Sequence, residues 1–158
     1  MRTALALAAT VAATGSLPHN GVLVPGVSLG GVRLGETTAE VRTALGTFYG
    51  TCDGCARPTW YFTYRRFTHA GLAVELQDGR ISAVYTVWRP HGWRTPAGLQ
   101  LGAVEEQVTR LASPVTPLQC PAYTALVHDS HGVRTVYYIL DGRLWGFGLM
   151  HTRTAPCR

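Results

Sequence analysis

Residues 31–46, "GVRLGETTAEVRTALG", return in looser form as residues 98–113, "GLQLGAVEEQVTRLAS". Set against each other at a spacing of 67 residues, the two stretches place Leu34 on Leu101, Gly35 on Gly102, Glu40 on Gln107 and Val41 on Val108. The first predicts a helix: Thr37 is its N-cap, Glu40 completes a capping box, apolar groups fall at 34, 41, 44 and 45, and Gly46 stops it. The second has Val104 where Thr37 stood, so its start is less well capped. Both helices are shorter than the roughly 12 residues that persist alone in water. Each must therefore lay its apolar side on something.

That something is a sheet. "TWYFTYRR", "GLAVELQ" and "RISAVYTVW" follow the first helix, and "AYTALVHD", "VRTVYYIL" and "RLWGFGLMH" follow the second. In each half an Asp-Gly pair, at 78–79 and 141–142, joins the last two runs, which predicts a two-residue type I′ hairpin turn. Strict pairing from that turn sets Leu76 opposite Ile81, Val74 opposite Ala83 and Leu72 opposite Tyr85, the helix-covered face of the first unit. The same rule in the second unit sets Ile139 opposite Leu144 and Tyr137 opposite Gly146. It leaves Val136, Tyr138, Leu140, Trp145 and Phe147 on the other face, where Glu75, Gln77, Arg80 and Ser82 make the first unit polar.

The expected fold is α+β, with two αβββ repeats forming one curved antiparallel sheet and the helices packed on its convex face. Either half alone would be marginal for its size. The divisions are an export signal over 1–15, repeat unit one over 26–88, a linker over 89–97, repeat unit two over 98–151 and a tail over 152–158.

The chain has 158 residues, 46% of them hydrophobic, enough to close a core. "MRTALALAATVAATG" has an arginine beside the first Met, a small-apolar stretch and small residues around Ala13 to Gly15, the pattern of a signal peptide. Beyond it, polar residues interrupt every apolar run before it reaches the roughly 18 residues of a membrane span, so no membrane insertion is expected. All 14 basic residues are arginine, giving a formal charge of +5. They are scattered, with only Arg65 and Arg66 adjacent, so no stripe is available to follow a nucleic-acid backbone. No glycine-rich phosphate loop follows a strand, and no cofactor is expected.

Four cysteines in an exported chain point to two disulfides, for which three pairings exist. Cys52 with Cys55 and Cys120 with Cys157 is preferred, because each bridge then stays within one unit. "CDGC" also has the Cys-x-x-Cys redox spacing, but it follows a helix and contains a turn dipeptide. A reactive thiolate is instead favoured at a helix N-terminus. "HDSH", residues 128–131, holds the residue types of a hydrolytic triad, yet neighbours on a strand point to opposite faces and cannot converge. It reads as a hairpin turn, and no catalytic or metal-binding residues are assigned.

The Gly31-Val32-Arg33-Leu34-Gly35 run with Glu40, Val41 and Gly46, its counterpart from Gly98 to Gly102 with Gln107 and Val108, and Cys52 and Cys120 after the helices resemble the tandem-repeat family of β-lactamase-inhibitory proteins. The repeat of small outer-membrane lipoproteins is a more distant likeness. The resemblance implies a secreted, non-enzymatic protein whose concave aromatic sheet grips another protein. Inhibitory members carry an acid on the loop joining the first two strands of unit one. Here that loop is Phe67-Thr68-His69-Ala70, with no acid.

The candidate partner-binding residues are Tyr138, Trp145 and Phe147, with Trp88 from unit one and Arg143 at the rim, since Trp, Tyr and Arg are the usual anchors of an interface. The partner expected is another protein, an extracellular enzyme being one candidate. A cell-wall or periplasmic scaffold using the same surface is the first alternative. A thiol-redox protein using Cys52 and Cys55 is the second. A tail or linker folded across these aromatics is the structural alternative.

Overall fold

The computed structural model describes residues 15–52 and 54–158. The export signal expected over 1–15 thus lies almost wholly outside the described residues. The architecture is α+β, dominated by antiparallel sheet. A short hairpin, β1 (Leu23–Val24) and β2 (Ser28–Leu29), precedes α1 (Thr38–Leu45) and four strands, β3 (Gly50–Cys52), β4 (Thr59–Thr63), β5 (Gly71–Gln77) and β6 (Arg80–Val87). The same succession follows: α2 (Glu105–Ala112), β7 (Thr116–Gln119), β8 (Thr124–Ser130), β9 (Val133–Leu140) and β10 (Arg143–His151). Each helix therefore precedes four strands where the sequence pattern indicates three. The additional ones, β3 and β7, contain Gly50 and Pro117 respectively, residues that weaken a strand reading and are tolerated here because both strands are edges.

The eight strands form one sheet in the order β3-β4-β5-β6-β10-β9-β8-β7. The halves meet at β6 and β10, where Tyr85 pairs with Gly148 and Ala83 with Met150. The recurring Gly-x-x-Leu-Gly stretch has the same task in both. Gly35 N–H donates to the Ile81 carbonyl at 2.8 Å, and Gly102 N–H to the Leu144 carbonyl at 2.7 Å. In return Ile81 N–H reaches the Glu36 carbonyl and Leu144 N–H the Ala103 carbonyl. Arg80 and Arg143, each following its Asp-Gly turn, donate to the Gly35 and Gly102 carbonyls. The motif thus bolts each helix to the hairpin of its own half.

Thr37 and Glu40 form the expected capping box, and Gly46 ends α1 at φ 84°. Val104 makes no side-chain cap. The missing acceptor for α2 comes instead from the neighbouring turn, where Glu105 N–H donates to the Gly142 carbonyl at 3.0 Å.

Two β-bulges change the register. Leu76 pairs with Ile81 as expected, but Glu75 then pairs with Ala83, Val74 with Val84 and Leu72 with Thr86. Ser82 is the extra residue. Likewise Leu144 pairs with Ile139, but Gly146 then pairs with Tyr138 and Phe147 with Tyr137, because Trp145 is extra. A bulge puts two successive side chains on one face and shifts all that follow. Ala83 and Tyr85 consequently leave the helix face, and Phe147 joins it.

That face holds the larger core, in which Val41, Leu45 and Val108 of the helices meet Leu72, Val74, Ile81, Val84, Tyr137, Ile139, Leu144, Phe147 and Leu149. The β1–β2 hairpin adds Leu23 and Leu29, and the 89–97 linker adds Trp93, which is fully buried. The linker is therefore part of the core.

Of the four polar residues expected on the opposite face of unit one, Gln77 and Arg80 are exposed but Glu75 and Ser82 are buried, and Ala83, Ala125, Val136, Tyr138 and Met150 form a second core there with Cys120. Segment 152–158 lies against it: Tyr138 Oη donates to the Pro156 carbonyl at 3.1 Å, and Arg158 meets Glu75 at 3.1 Å.

Both preferred disulfides are present, Cys52–Cys55 and Cys120–Cys157. The second closes a sequence separation of 37 and the first one of 3. Chain-entropy reasoning then predicts that Cys120→Ser with Cys157→Ser lowers unfolding stability by about 4 kcal/mol, against about 2 kcal/mol for Cys52→Ser with Cys55→Ser. Urea midpoints of the two double variants check the order.

Candidate aromatic groove

The five sequence-chosen residues do not share one surface. Phe147 is fully buried on the helix face, 6.0 Å from Tyr137 in an edge-to-face contact, and leaves the candidate site because of the Trp145 bulge. Tyr138 is on the second face but covered, with its ring edge-on to Tyr123 at 5.5 Å and its hydroxyl spent on Pro156. Burial pushes its phenol well above the ordinary range, so it stays neutral. Arg143 is exposed but turned toward the α2 junction, donating to the Gly102 carbonyl at 3.2 Å. Trp88 and Trp145 remain.

These two meet across the seam between the halves. Their rings are edge to face at 6.2 Å, an arrangement aromatic quadrupoles favour. Trp88 is 60% exposed. Its backbone and that of Arg89 take φ values of 54° and 40°, a region that bulky residues occupy only when the surrounding structure enforces it. The enforced bend ends β6 and turns Trp88 outward. His69, from the β4–β5 loop, supports the Trp88 ring at 5.5 Å, and the Arg89 guanidinium sits 5.7 Å from the Trp145 ring.

Behind the pair runs a groove of about 440 Å³ whose walls include Tyr85, Tyr123, Tyr138 and Leu140. Arg158 closes one end. It stacks 5.6 Å from the Tyr85 ring, pairs with Glu75, and donates its backbone N–H to Tyr123 Oη. Burial drives the Tyr85 phenol upward as well, so it too stays neutral.

Sequence reasoning missed Tyr85, Tyr123 and Arg158. A signal for this packing was present in "WGFGLM". Gly146 and Gly148 alternate along one face of β10, and a Cβ at Gly148 would stand 2.8 Å from Tyr138 Oη. Alternating glycines in a strand mark a ring lying across it.

The HDSH residues have separate partners. Arg134 grips Asp129 through two bonds of 2.8 and 2.7 Å, His128 Nδ1 donates to the Pro114 carbonyl, and Ser130 Oγ lies 2.8 Å from His131 Nδ1. His131 and Gly132 form the turn itself, both with positive φ. Hydrogen bonds from Arg134 hold the Asp129 carboxyl below its usual value. Among the described residues no three His, Cys, Asp or Glu side chains are grouped to hold a metal. Cys52 and Cys55 bracket the β3–β4 turn, with Cys55 Sγ 4.0 Å from Tyr61 Oη.

Neither a protein-family model nor a curated protein matches the chain by sequence. Two solved structures share its fold. A DUF4309 family protein (YjgB) from Bacillus subtilis subsp. subtilis strain 168 superposes with a TM-score of 0.55 at 17% identity, covering 74% of this chain and 79% of that one. An extracellular protein containing an SCP domain, from Bacillus anthracis strain Ames, gives a TM-score of 0.54 at 9% identity, covering 75% of this chain and 44% of that one. At such identities the likeness speaks for the fold alone. Neither protein is described as an inhibitor of the kind the repeat motifs resemble.

The placement of the aromatics predicts two opposite outcomes. Tyr138→Ala and Phe147→Ala should each cost about 3–5 kcal/mol, the usual loss for emptying a large buried ring site. Trp88→Ala should change stability by about 0.5 kcal/mol or less. Chemical denaturation of the three variants checks this.

Proposed function

We propose that the protein is a secreted, non-enzymatic binding module that captures another protein, an extracellular enzyme being one candidate, in the groove headed by Trp88 and Trp145. The observation that carries this reading is the exposed Trp88 ring set edge to face against the half-buried Trp145. The other large aromatics of the second face are covered or half-buried, whereas Trp88 is held outward by two consecutive left-handed residues. A soluble chain has no folding reason to spend strain on exposing an indole, and Trp and Arg are the side chains that anchor partners most strongly. Arg89 supplies the adjacent cation. The two disulfides fit an oxidising compartment.

The architectural part of the proposal is that the halves are copies of one unit and that their joined sheet is a curved platform with the helices on its convex side. The equivalent bolts at Gly35 and Gly102, and the order of strands about the β6–β10 seam, support it. Duplication would explain why the groove lies where one half's last strand meets the other's. Envelope scaffolding would use this same groove and differs only in where the partner resides.

The test is affinity capture from the producing organism's culture fluid and wall fraction, followed by titration of the captured protein. Trp145→Ala and Trp88→Ala should each weaken binding by about 30-fold, as expected of an anchor residue. Phe48→Ala, which removes a 57% exposed ring elsewhere, should leave it unchanged. Equal capture by all three would remove the groove as the binding site. Partner recovery from the wall fraction alone would favour the scaffold.

A further inference from the structure

The most exposed large apolar side chain among the described residues is not in the groove. Phe67, at the tip of the β4–β5 loop, is 89% exposed. The loop that carries it is firmly built. Thr68 Oγ1 donates to the Arg65 carbonyl at 2.8 Å and accepts from Arg65 N–H at 3.1 Å, while Thr63 Oγ1 donates to the same carbonyl at 3.0 Å. Phe67 itself takes φ 65°. Behind the loop, Tyr64 is fixed by a hydrogen bond from Trp93 Nε1 and by its own bond to the Pro18 carbonyl.

Arginines accompany this ring. Arg65 and Arg66 are exposed, with the Arg66 guanidinium 5.2 Å from the Phe67 ring. His69 links the loop to Trp88, beside which Arg89 is also exposed. No carboxylate occurs between residues 54 and 74 or between 79 and 104, so no acidic side chain in either segment neutralises them.

We propose that Phe67, Arg65 and Arg66, with Trp88 and Arg89 beside them, dock the protein on an anionic phospholipid surface. The pairing of ring and cations selects this occupant. The loop carries an almost fully exposed ring, with exposed arginines adjoining it in the chain. A fluid headgroup layer moulds itself around such a loop, taking the ring at the level where aromatic side chains settle while phosphates accept from the arginines. Attachment through two rings and three arginines is reversible and largely electrostatic, and it needs no spanning segment. No helix among the described residues is long and apolar enough to span a membrane. Exposure of Phe67 is a property of the folded loop, so the sequence pattern alone assigned the protein no membrane role. The proposal does not rest on partner capture.

The experiment is co-sedimentation of the full chain with vesicles of equal parts phosphatidylglycerol and phosphatidylcholine, compared with pure phosphatidylcholine. Binding to the anionic vesicles only is expected, with loss in high salt. Arg65→Ser with Arg66→Ser should weaken it about 30-fold, and Phe67→Ala about tenfold. All these side chains are exposed, and circular dichroism of the variants should match the parent. Trp145→Ala should retain vesicle binding, which separates this result from the outcome of partner capture. Equal binding to both vesicle types, undiminished binding by the two loop variants, or binding to soluble polyglutamate with none to vesicles would each overturn the proposal.

Discussion

A sheet apolar on both faces needs two covers, and this chain supplies them from different places. Helices α1 and α2, the β1–β2 hairpin and Trp93 cover one face. Segment 152–158 covers part of the other, tied down by Cys120–Cys157, by the Tyr138–Pro156 hydrogen bond and by the Arg158–Glu75 pair. Glu75 is 8% exposed, and a carboxylate so placed is tolerable only with a partnered cation at hand. The part of the face that this segment leaves open is the groove that leads to Trp88 and Trp145, with Arg158 against Tyr85 at one end.

The recurring motif and the bulges act on the same geometry. Gly35 and Gly102 bring the chain close enough to the hairpins for backbone bonds at Ile81 and Leu144, which fixes each helix over its own half. Each bulge then falls next to that anchor, at Ser82 or Trp145. Past the bulge the side chains change faces. This single-residue insertion gives the helix face Val84 in one half and Phe147 in the other. It gives the second face Ala83 in one half and Gly146, beside Tyr138, in the other.

What the sequence made legible was local chemistry. Asp78-Gly79 and Asp141-Gly142 announced their hairpins, Thr37 and Glu40 their capping box, and four cysteines the two bridges. Pairing next to each turn was also readable, since Leu76–Ile81 and Ile139–Leu144 follow from turn length. What lay further along the strand was not. A bulge depends on contacts with the rest of the fold, and nothing in "RISAV" or "RLWGF" declares it beforehand. Plain alternation from the turn therefore puts Phe147 on the wrong face and gives Val74 and Leu72 the wrong partners. Trp93 was read as linker because the glycines and prolines around it are loop residues, although its indole fills the core. Of the candidate site, the Trp88–Trp145 meeting is close to what strand alternation suggests, and a tail folded across the aromatics is the structural alternative the sequence offers; its particular contacts, from Pro156 and Arg158, depend on the tertiary fold.

That segment 152–158, rather than a helix, covers the Tyr138 part of the second face is the point on which the structure turns. It is tested most directly by removing residues 152–158 and following binding of an apolar fluorescent dye alongside the circular dichroism of the backbone. The account predicts that the shortened chain, freed of the Pro156 and Arg158 contacts, keeps its sheet signal and binds dye strongly where the parent does not. Dye fluorescence equal to the parent's, with the backbone signal intact, would contradict it.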